Sequence, residues 1–298
     1  MNEKLNAILA LLIATVFWSF SVIFNRSIVN EINPFTLLFL RLIIPAIIIF
    51  PFFIKKRIWT HTHFPELLKV SILFMLNMSL FSFGIKYTSA SASHLLYSLA
   101  PILIILYGVY FKTEKYKFGR LLGVILGLIG ILIIINLSRI EKESTLSGGF
   151  IGNVVIFVAV ICSTAYLLWT KRLLKIFTAF DTTGISIIVS AIFSIPILIY
   201  GNLILKEPVI LTSTNLYAVL FIGIFGTLIN FYLYQYALSK LSALTTSIIS
   251  YLQPIFTAIL EILLLSGALT HGFVFGGSLV FLGVFLSTTY EFIKRRKQ

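Results

Sequence analysis

Long apolar runs dominate the chain, and short breaks that carry charges, glycine or proline separate them. Each run has about 18 to 25 residues, the length that a helix needs to cross roughly 30 Å of hydrocarbon. Because lipid offers no partners to backbone N–H and C=O groups, the runs must be helices, whereas a barrel would show alternating segments of ~10 residues. The pattern therefore predicts ten transmembrane helices. They lie approximately at 5–28, 34–54, 65–86, 89–111, 118–137, 149–169, 180–200, 214–237, 241–265 and 272–292.

The composition excludes an ordinary soluble domain. The 298 residues are 59% hydrophobic and only 11% charged, with a mean hydropathy of +1.04. A soluble domain is about 45–50% apolar and roughly 25% charged, so this chain has more apolar surface than one core would bury. The breaks between the runs are also too short for a separate catalytic or regulatory domain, and the function is expected among the helices.

The net charge of +13 is explained by the positions of the basic residues. With both termini in the cytoplasm, 17 Lys and Arg residues face inward, 5 face outward, and Arg41 lies inside a span. This asymmetry is the one that the positive-inside rule describes. The basic residues therefore indicate orientation in a cell membrane, with the lipid bilayer as partner, and a nucleic-acid partner is not expected.

An internal repeat relates the two halves of the chain. Six residue matches recur at an offset of 153 positions, which apolar composition alone does not explain. The chain therefore consists of two repeats, 1–143 and 144–298, with five spans each. Because five is odd, the second copy enters the membrane upside down, as in many secondary transporters. The predicted fold is an all-α membrane protein of ten transmembrane helices, arranged as two inverted five-helix repeats. The matches are Asn77/Asn230, Ala90/Ala243, Pro101/Pro254, Gly119/Gly272, Gly123/Gly276 and Gly130/Gly283.

Two prolines lie near the middle of the fourth and ninth runs. Pro101 and Pro254 each remove a backbone donor and are expected to kink the helix. The carbonyls that they leave free, on Tyr97 and Ser250, should face protein or a water-filled cavity, since a free carbonyl in lipid is costly. The alternative is a packing kink at which a neighbouring helix supplies the missing hydrogen bond.

The tract "PILIILYGVYFKTEKYKFGRLLGVILGLIG" makes the sequence similar to a known family. It resembles the EamA family of the drug/metabolite transporter superfamily, in which the fourth span gives a proline, a glutamate thirteen residues later, and glycines along the fifth span. Pro101, Glu114, Gly119, Gly123 and Gly130 match this pattern. The second copy keeps Pro254 and three glycines but has Gly267 where the glutamate would fall. The resemblance covers nearly the whole chain and implies the same fold.

The leading functional hypothesis is a secondary transporter that exports amino acids or related small metabolites by alternating access. An alternative with the same fold is a flippase for a lipid-linked or amphiphilic molecule. An intramembrane enzyme is a further alternative, although the chain contains no HExxH motif. Because GxxxxGK[ST] is also missing from the sequence, coupling to ATP within this chain is unsupported. No cofactor or metal ion is expected, and the predicted ligand is a small molecule.

Polar and aromatic residues at membrane depth are the candidates for substrate binding, because such groups should face the interior of the bundle. They would form an amphipathic, mostly neutral ring suited to a small zwitterion or neutral metabolite. For the asparagines and serines, hydrogen bonding between helices is an equally good explanation. The predicted set is Trp18, Asn77, His94, Tyr97, Ser98, Tyr166, Asn230, Tyr234, Tyr251 and Gln253.

Three ionisable residues are candidates for coupling. Glu261 is an acid in an apolar stretch, which suits proton coupling or attraction of a cation, or else a solvated or ion-paired carboxylate. His94 is either a proton relay or a packed, hydrogen-bonded histidine. Arg41 pairs with an acid or with carbonyls, snorkels to the interface, or recognises an anion. The glycine stripes on the fifth and tenth runs are expected to be scaffold, and they could also support a homodimer.

Overall fold

The protein is a bundle of helices. The computed structural model describes residues 3–111, 118–137, 146, 148–204, 212–249 and 252–295, and the regular elements in these residues are all helical. Three residues named in the sequence analysis lie outside the described residues: Glu114 of the family pattern, Ser250 with its carbonyl, and Tyr251 of the substrate-binding set. The α-helices are α1 (Glu3–Ile28), α2 (Pro34–Lys56), α3 (Phe64–Gly84), α4 (Ala90–Tyr97), α5 (Ala100–Tyr110), α6 (Phe118–Leu137), α7 (Phe150–Leu173), α8 (Ala179–Ile199), α9 (Ser213–Gly223), α10 (Asn230–Lys240), α11 (Ala243–Ile249), α12 (Leu252–Leu265) and α13 (His271–Arg295).

Eight helical segments of the described chain are long and apolar enough to cross a membrane. Each of α1, α2, α3, α7 and α8 lies in such a segment, and the other three are α4 with α5, α9 with α10, and α11 with α12. The apolar stretches of α6 and α13 are shorter, at Leu122–Ile134 and His271–Gly283. The structure thus confirms an all-helical membrane protein, and it finds eight candidate spans where the sequence predicted ten.

Burial follows the pattern of a protein surrounded by lipid. Small polar residues such as Thr15, Ser19 and Asn25 on α1 are completely buried. Large apolar residues such as Ile47 and Leu263 are 65% and 72% exposed. Because unsatisfied polar groups are costly in hydrocarbon while aliphatic groups are not, this distribution suits a bundle whose outer surface contacts acyl chains.

The fourth apolar run is broken in two rather than kinked. Helix α4 ends at Tyr97, Ser98 and Leu99 form a turn, and α5 begins at Ala100. Pro101 therefore lies in the first turn of a new helix, where its missing N–H has no helical partner to lose. In the second repeat, residues 250 and 251 lie outside the described chain, and Pro254 comes near the start of the described part of α12. For Pro101 the predicted kink inside a continuous helix is replaced by a pair of half-helices, and for Pro254 the kink stays a prediction.

Side-chain caps fix where several helices begin. The side chain of Asn33 accepts a hydrogen bond from the backbone nitrogen of Thr36 at 2.9 Å and so caps α2. Thr178 and Asp181 form a reciprocal capping box at the start of α8. Asp181 also pairs with Lys56 at the end of α2. Since the start of α8 touches the end of α2, these two helices run antiparallel.

Candidate functional site

A small cavity lies inside the bundle, between α1, α2, α3, α4 and α12. Its volume is about 30 Å³, room for about two water molecules and too little for a metabolite. Residues from the first repeat supply nearly the whole wall, and α12 of the second repeat contributes one side chain. The wall consists of Trp18, Ser21, Val22, Arg41, Asn77, Met78, Phe81, His94, Tyr97 and Gln253.

Arg41 brings a positive charge to the cavity wall. It lies on α2 and is only 2% exposed. Its Nη2 donates to the hydroxyl of Thr227 at 3.4 Å, which is a long hydrogen bond, and the guanidinium lies 5.7 Å from the centre of the Phe81 ring. Nε and Nη1 have no hydrogen-bond partner in the described part of the chain. The guanidinium is therefore buried with most of its donors unused.

Asn77 and Tyr97 form a hydrogen-bonded pair on the cavity wall. The amide nitrogen of Asn77 donates to the Tyr97 hydroxyl at 2.6 Å and to the carbonyl of Ala159 at 2.8 Å. Three helices, α3, α4 and α7, are joined at this point. Asn77 therefore lines the wall and makes the hydrogen bonds between helices that were one of its two predicted roles, while its contact with a substrate stays a prediction.

His94 connects the two repeats beside the cavity. Its Nδ1 is hydrogen-bonded to the hydroxyl of Thr257 on α12 at 2.6 Å. One turn before Thr257, the side chain of Gln253 reaches the wall, and its Nε2 is buried without a partner in the described residues. His94 is thus packed and hydrogen-bonded, as one of its two predicted environments required.

Trp18 is held in the wall by residues of α10. In the amide orientation that satisfies both neighbours, Asn230 accepts from Trp18 Nε1 at 3.1 Å and donates to the carbonyl of Ala14 at 2.9 Å. The rings of Phe231 and Tyr234 pack edge-on against the indole, with centroids 5.2 and 5.4 Å away. Asn230 and Tyr234 therefore support the wall from behind.

Other members of the predicted ring lie away from the cavity. The Tyr166 hydroxyl donates to Ser186 at 3.3 Å, and the Ser98 hydroxyl donates to the carbonyl of His94 at 3.3 Å. Five predicted residues do meet at the wall, and their contact with a substrate stays a prediction: Trp18, Asn77, His94, Tyr97 and Gln253.

Glu261, in the second repeat, caps the start of α4 in the first repeat. Its oxygens accept hydrogen bonds from the backbone nitrogens of Ala90 at 3.1 Å and Ser91 at 2.6 Å. These are free donors of the first turn of α4, so the carboxylate also faces the positive end of the helix dipole. With 5% exposure, it is neither solvated nor bonded to a basic side chain by any contact of the described residues.

The apolar residues of the wall were not predicted from the sequence, because only side chains with a polar group were taken as candidates for substrate binding. Val22, Met78 and Phe81 line the cavity without any polar signal of their own. Helix periodicity was the available clue, since Val22 follows Trp18 by one turn and Phe81 follows Asn77 by one turn. In the described residues, no group of three His, Cys, Asp or Glu side chains is placed to hold a metal ion.

A bundle of several apolar helices, with apolar side chains outside and small polar side chains buried inside, is the architecture of an integral membrane protein. The sequence profile of the EamA-like transporter family matches residues 5–136 and 150–289. The chain belongs to the EamA-like transporter family.

Two similar proteins are named as transporters. An "uncharacterized transporter" of Archaeoglobus fulgidus is 25% identical over 295 residues, 98% of this chain and 99% of that protein. Another, of Clostridium kluyveri, is 24% identical over 283 residues, 92% of this chain and 90% of that protein. A solved crystal structure superposes with a TM-score of 0.67 at 17% identity, covering 95% of this chain and 98% of the other, and shows that the fold is shared.

Proposed function

We propose that the protein is a secondary transporter that exports amino acids or related small metabolites, with the cavity between α1 to α4 and α12 as its substrate site. The observation that carries this proposal is a cavity inside the bundle whose mostly apolar wall includes a buried arginine and a buried asparagine, with one side chain from the second repeat. A group such as Arg41 or Asn77 is expensive to bury in a bilayer and is found there when it serves a solute pathway.

An inverted repeat is supported by contacts that occur twice. Asn77 on α3 donates to the carbonyl of Ala159 on α7 at 2.8 Å. Asn230 on α10 donates to the carbonyl of Ala14 on α1 at 2.9 Å. A two-fold axis that exchanges the repeats turns one contact into the other, as expected for copies related by symmetry.

The glycines of α6 and α13 give a second exchanged pair. A Cβ added at Gly130 would lie 2.6 Å from the carbonyl oxygen of Gly276, and one added at Gly283 would lie 2.5 Å from that of Gly123. In the sequence repeat, Gly123 corresponds to Gly276 and Gly130 to Gly283. The exchange of the two repeats therefore converts one contact into the other, which supports counting α6 and α13 as the fifth and tenth spans.

Two basic residues at the ends of the bundle make a third pair of contacts that the repeat relates to each other. Arg26 on α1 donates to the carbonyl of Ile85 at 3.4 Å, at the end of α3. Lys171 on α7 donates to the carbonyl of Leu238, near the end of α10. Ile85 and Leu238 are 153 positions apart, the offset of the repeat. Each basic side chain thus donates a hydrogen bond to a backbone carbonyl at the carboxyl end of the matching helix within its own repeat.

The small size of the cavity supports alternating access. A volume of about 30 Å³ cannot hold an amino acid, so in this proposal the helices separate on one side to admit a substrate. The break between α4 and α5 is where such movement costs least, because half-helices turn without breaking a continuous hydrogen-bond ladder. With the termini in the cytoplasm, opening on opposite faces would carry a solute across the cell membrane.

Proteoliposomes preloaded with a mixed pool of metabolites test the proposal. Time-dependent loss of particular solutes, with and without a pH gradient, is the expected result, and liposomes without protein are the control. If no solute leaves, the transporter proposal is wrong. Labelled lipid that changes leaflet at the same protein density would instead indicate a flippase, and new covalent products would indicate an enzyme.

A further inference from the structure

Arg41 is a buried cation without a counter-charge among the described residues. The acids of the described chain whose side chains have contacts are all engaged elsewhere, with Glu261 on the backbone of α4 and Asp181 on Lys56. The other three are at exposed or peripheral positions: Glu3 with Lys240, Glu31 with Asn215, and Glu66 with His63.

The other groups around the guanidinium do not neutralise it. The Phe81 ring contributes a cation–π contact at 5.7 Å, and the Thr227 hydroxyl supplies one long hydrogen bond. Water in the cavity would solvate the charge without cancelling it. Removing a cation from water is costly unless an opposite charge or carbonyl groups pair with it, and in the described residues Arg41 is hydrogen-bonded to neither.

The unused hydrogen-bonding groups of the wall point to the kind of ligand. The fully buried polar atoms of lining residues that lack a partner are Nε and Nη1 of Arg41 and Nε2 of Gln253, all of them donors. A ligand group that meets them must accept several hydrogen bonds and carry a negative charge. A planar carboxylate fits the planar guanidinium in both respects.

The charge belongs to one repeat only. Arg41 lies eight residues after the α2 cap Asn33, and Ser186 lies eight residues after the α8 cap Thr178. Ser186 is itself hydrogen-bonded to Tyr166 at 3.3 Å. Symmetry of the scaffold therefore does not require a cation here, which leaves the ligand as the reason for it.

We infer that the transported substrate carries a carboxylate, which Arg41 binds through the nitrogens now left free in the cavity, with the amide of Gln253 donating to the same group. This inference rests on the proposed transport function and adds the chemical class of the substrate. The apolar wall formed by Trp18, Met78 and Phe81 then contacts the rest of the molecule.

Matched pairs of probes test this inference on the full-length protein purified in detergent. The probes are short monocarboxylates, 2-hydroxy acids and amino acids, each compared with its own primary amide, together with inorganic phosphate and chloride. Thermal unfolding is measured at increasing probe concentration, and the same probes are offered as competitors for solute efflux from proteoliposomes. We expect at least one acid to raise the unfolding temperature and to compete, while its amide does neither.

Three variants assign the effect to the residue. In Arg41→Gln the apparent affinity for the active acid should fall roughly 30-fold or more, as when one partner of a buried charge pair is removed. Arg41→Lys should recover part of it, because the charge remains and the planar fork is lost. Lys69→Gln removes an exposed charge on α3 and should leave the affinity unchanged.

The outcomes separate this inference from the transport function. If an amide stabilises the protein and moves as well as its acid, or if Arg41→Gln transports the active solute like wild type, the carboxylate inference is wrong and the transport function stands. Stabilisation by phosphate or chloride with no effect of any carboxylate also overturns it. If no solute moves and no acid in the panel stabilises the protein, the transport function and the inference fail together.

Discussion

The carboxylate of Glu261 accepts a hydrogen bond from the backbone nitrogen of Ser91 at 2.6 Å, across the boundary between the two repeats. A second bond, from Ala90 at 3.1 Å, makes the side chain a further cap, beside the N-cap Ser89, of a helix that begins 171 residues earlier in the chain. The contact holds α12 against the first turn of α4. An acid in an apolar segment therefore has a structural task that needs no ion to be transported.

Substitutions of Glu261 distinguish its hydrogen bonding to the start of α4 from a role in proton coupling. Glu261→Ala should lower the free energy of unfolding by about 0.5–2 kcal/mol, the usual cost of losing a cap. Glu261→Gln keeps one acceptor and should cost less, with transport and its dependence on a pH gradient preserved. Thermal unfolding and proteoliposome flux are the measurements, and Glu66→Gln, at an exposed acid, is the control. Loss of the pH-gradient dependence in Glu261→Gln alone would show that the carboxylate carries a proton.

Asn77 and Asn230 should respond alike in stability and differently in transport. Each is a buried side chain that makes two hydrogen bonds to neighbouring helices, so substitution by alanine should cost roughly 1–2 kcal/mol in both. Only Asn77 also lines the cavity and holds Tyr97, so its variant should lose more of the flux.

Thermal unfolding and flux normalised to folded protein check this expectation. Ser79→Ala on α3 is the control, since within the described part of the chain that hydroxyl is hydrogen-bonded to the sulfur of Met75 at 3.4 Å and to no other group. Clearly unequal stability losses in Asn77→Ala and Asn230→Ala would argue against equivalent positions in two repeats.

The glycine contacts between α6 and α13 predict a sharp difference between two positions of one helix. A Cβ at Gly283 would lie 2.4 Å from the backbone nitrogen of Gly127, which has no freedom to move away. A Cβ at Gly277 would meet only the end of the Leu95 side chain at 3.4 Å, an ordinary contact. Gly283→Ala should therefore cost roughly 1–3 kcal/mol of stability, and Gly277→Ala little. Equal unfolding temperatures would show that the helices separate easily.

The proposed inversion predicts which loops face outward. Thr60, between α2 and α3, and Ser213, at the start of α9, are both exposed and should lie on opposite faces of the membrane. Single cysteines at these two positions, in a Cys162→Ser background, are labelled with a membrane-impermeant maleimide. We expect Ser213→Cys to react in intact cells and Thr60→Cys only after permeabilisation. Labelling of both from the same side would contradict two oppositely inserted repeats.

Much of the fold could be predicted from the sequence because lipid imposes strict rules on helix length and composition. The apolar runs predicted ten spans, of which eight are long and apolar enough in the described chain, and the glycine stripes marked the fifth and tenth runs as closely packed without naming their partner. Pro101 was harder to interpret, because a proline ends one helix or starts another equally well. Its position in the first turn of α5 depends on how the turn at Ser98 and Leu99 packs, which local sequence does not encode.

The site was predicted less completely, since sequence distance hides its partners. Arg41 and Glu261 were both recognised as unusual charges at membrane depth. That the carboxylate would reach the start of α4, leaving the guanidinium unpaired, depends on the packing of distant helices. Tyr166 and Tyr234 share the helical face expected of the ring, but a shift of one position around a helix moves a side chain from the cavity to the packing behind it.

The contact between α6 and α13, in which glycine backbone lies against glycine backbone, also limits how the molecule can move. Pulling these helices apart would expose glycine backbone to acyl chains without any side chain to cover it, whereas turning them together exposes nothing new. One helix comes from each repeat, so the two repeats are expected to rotate about the contact between α6 and α13. We expect the two helices to stay in register throughout the working cycle, while the opposite side of the bundle opens and closes.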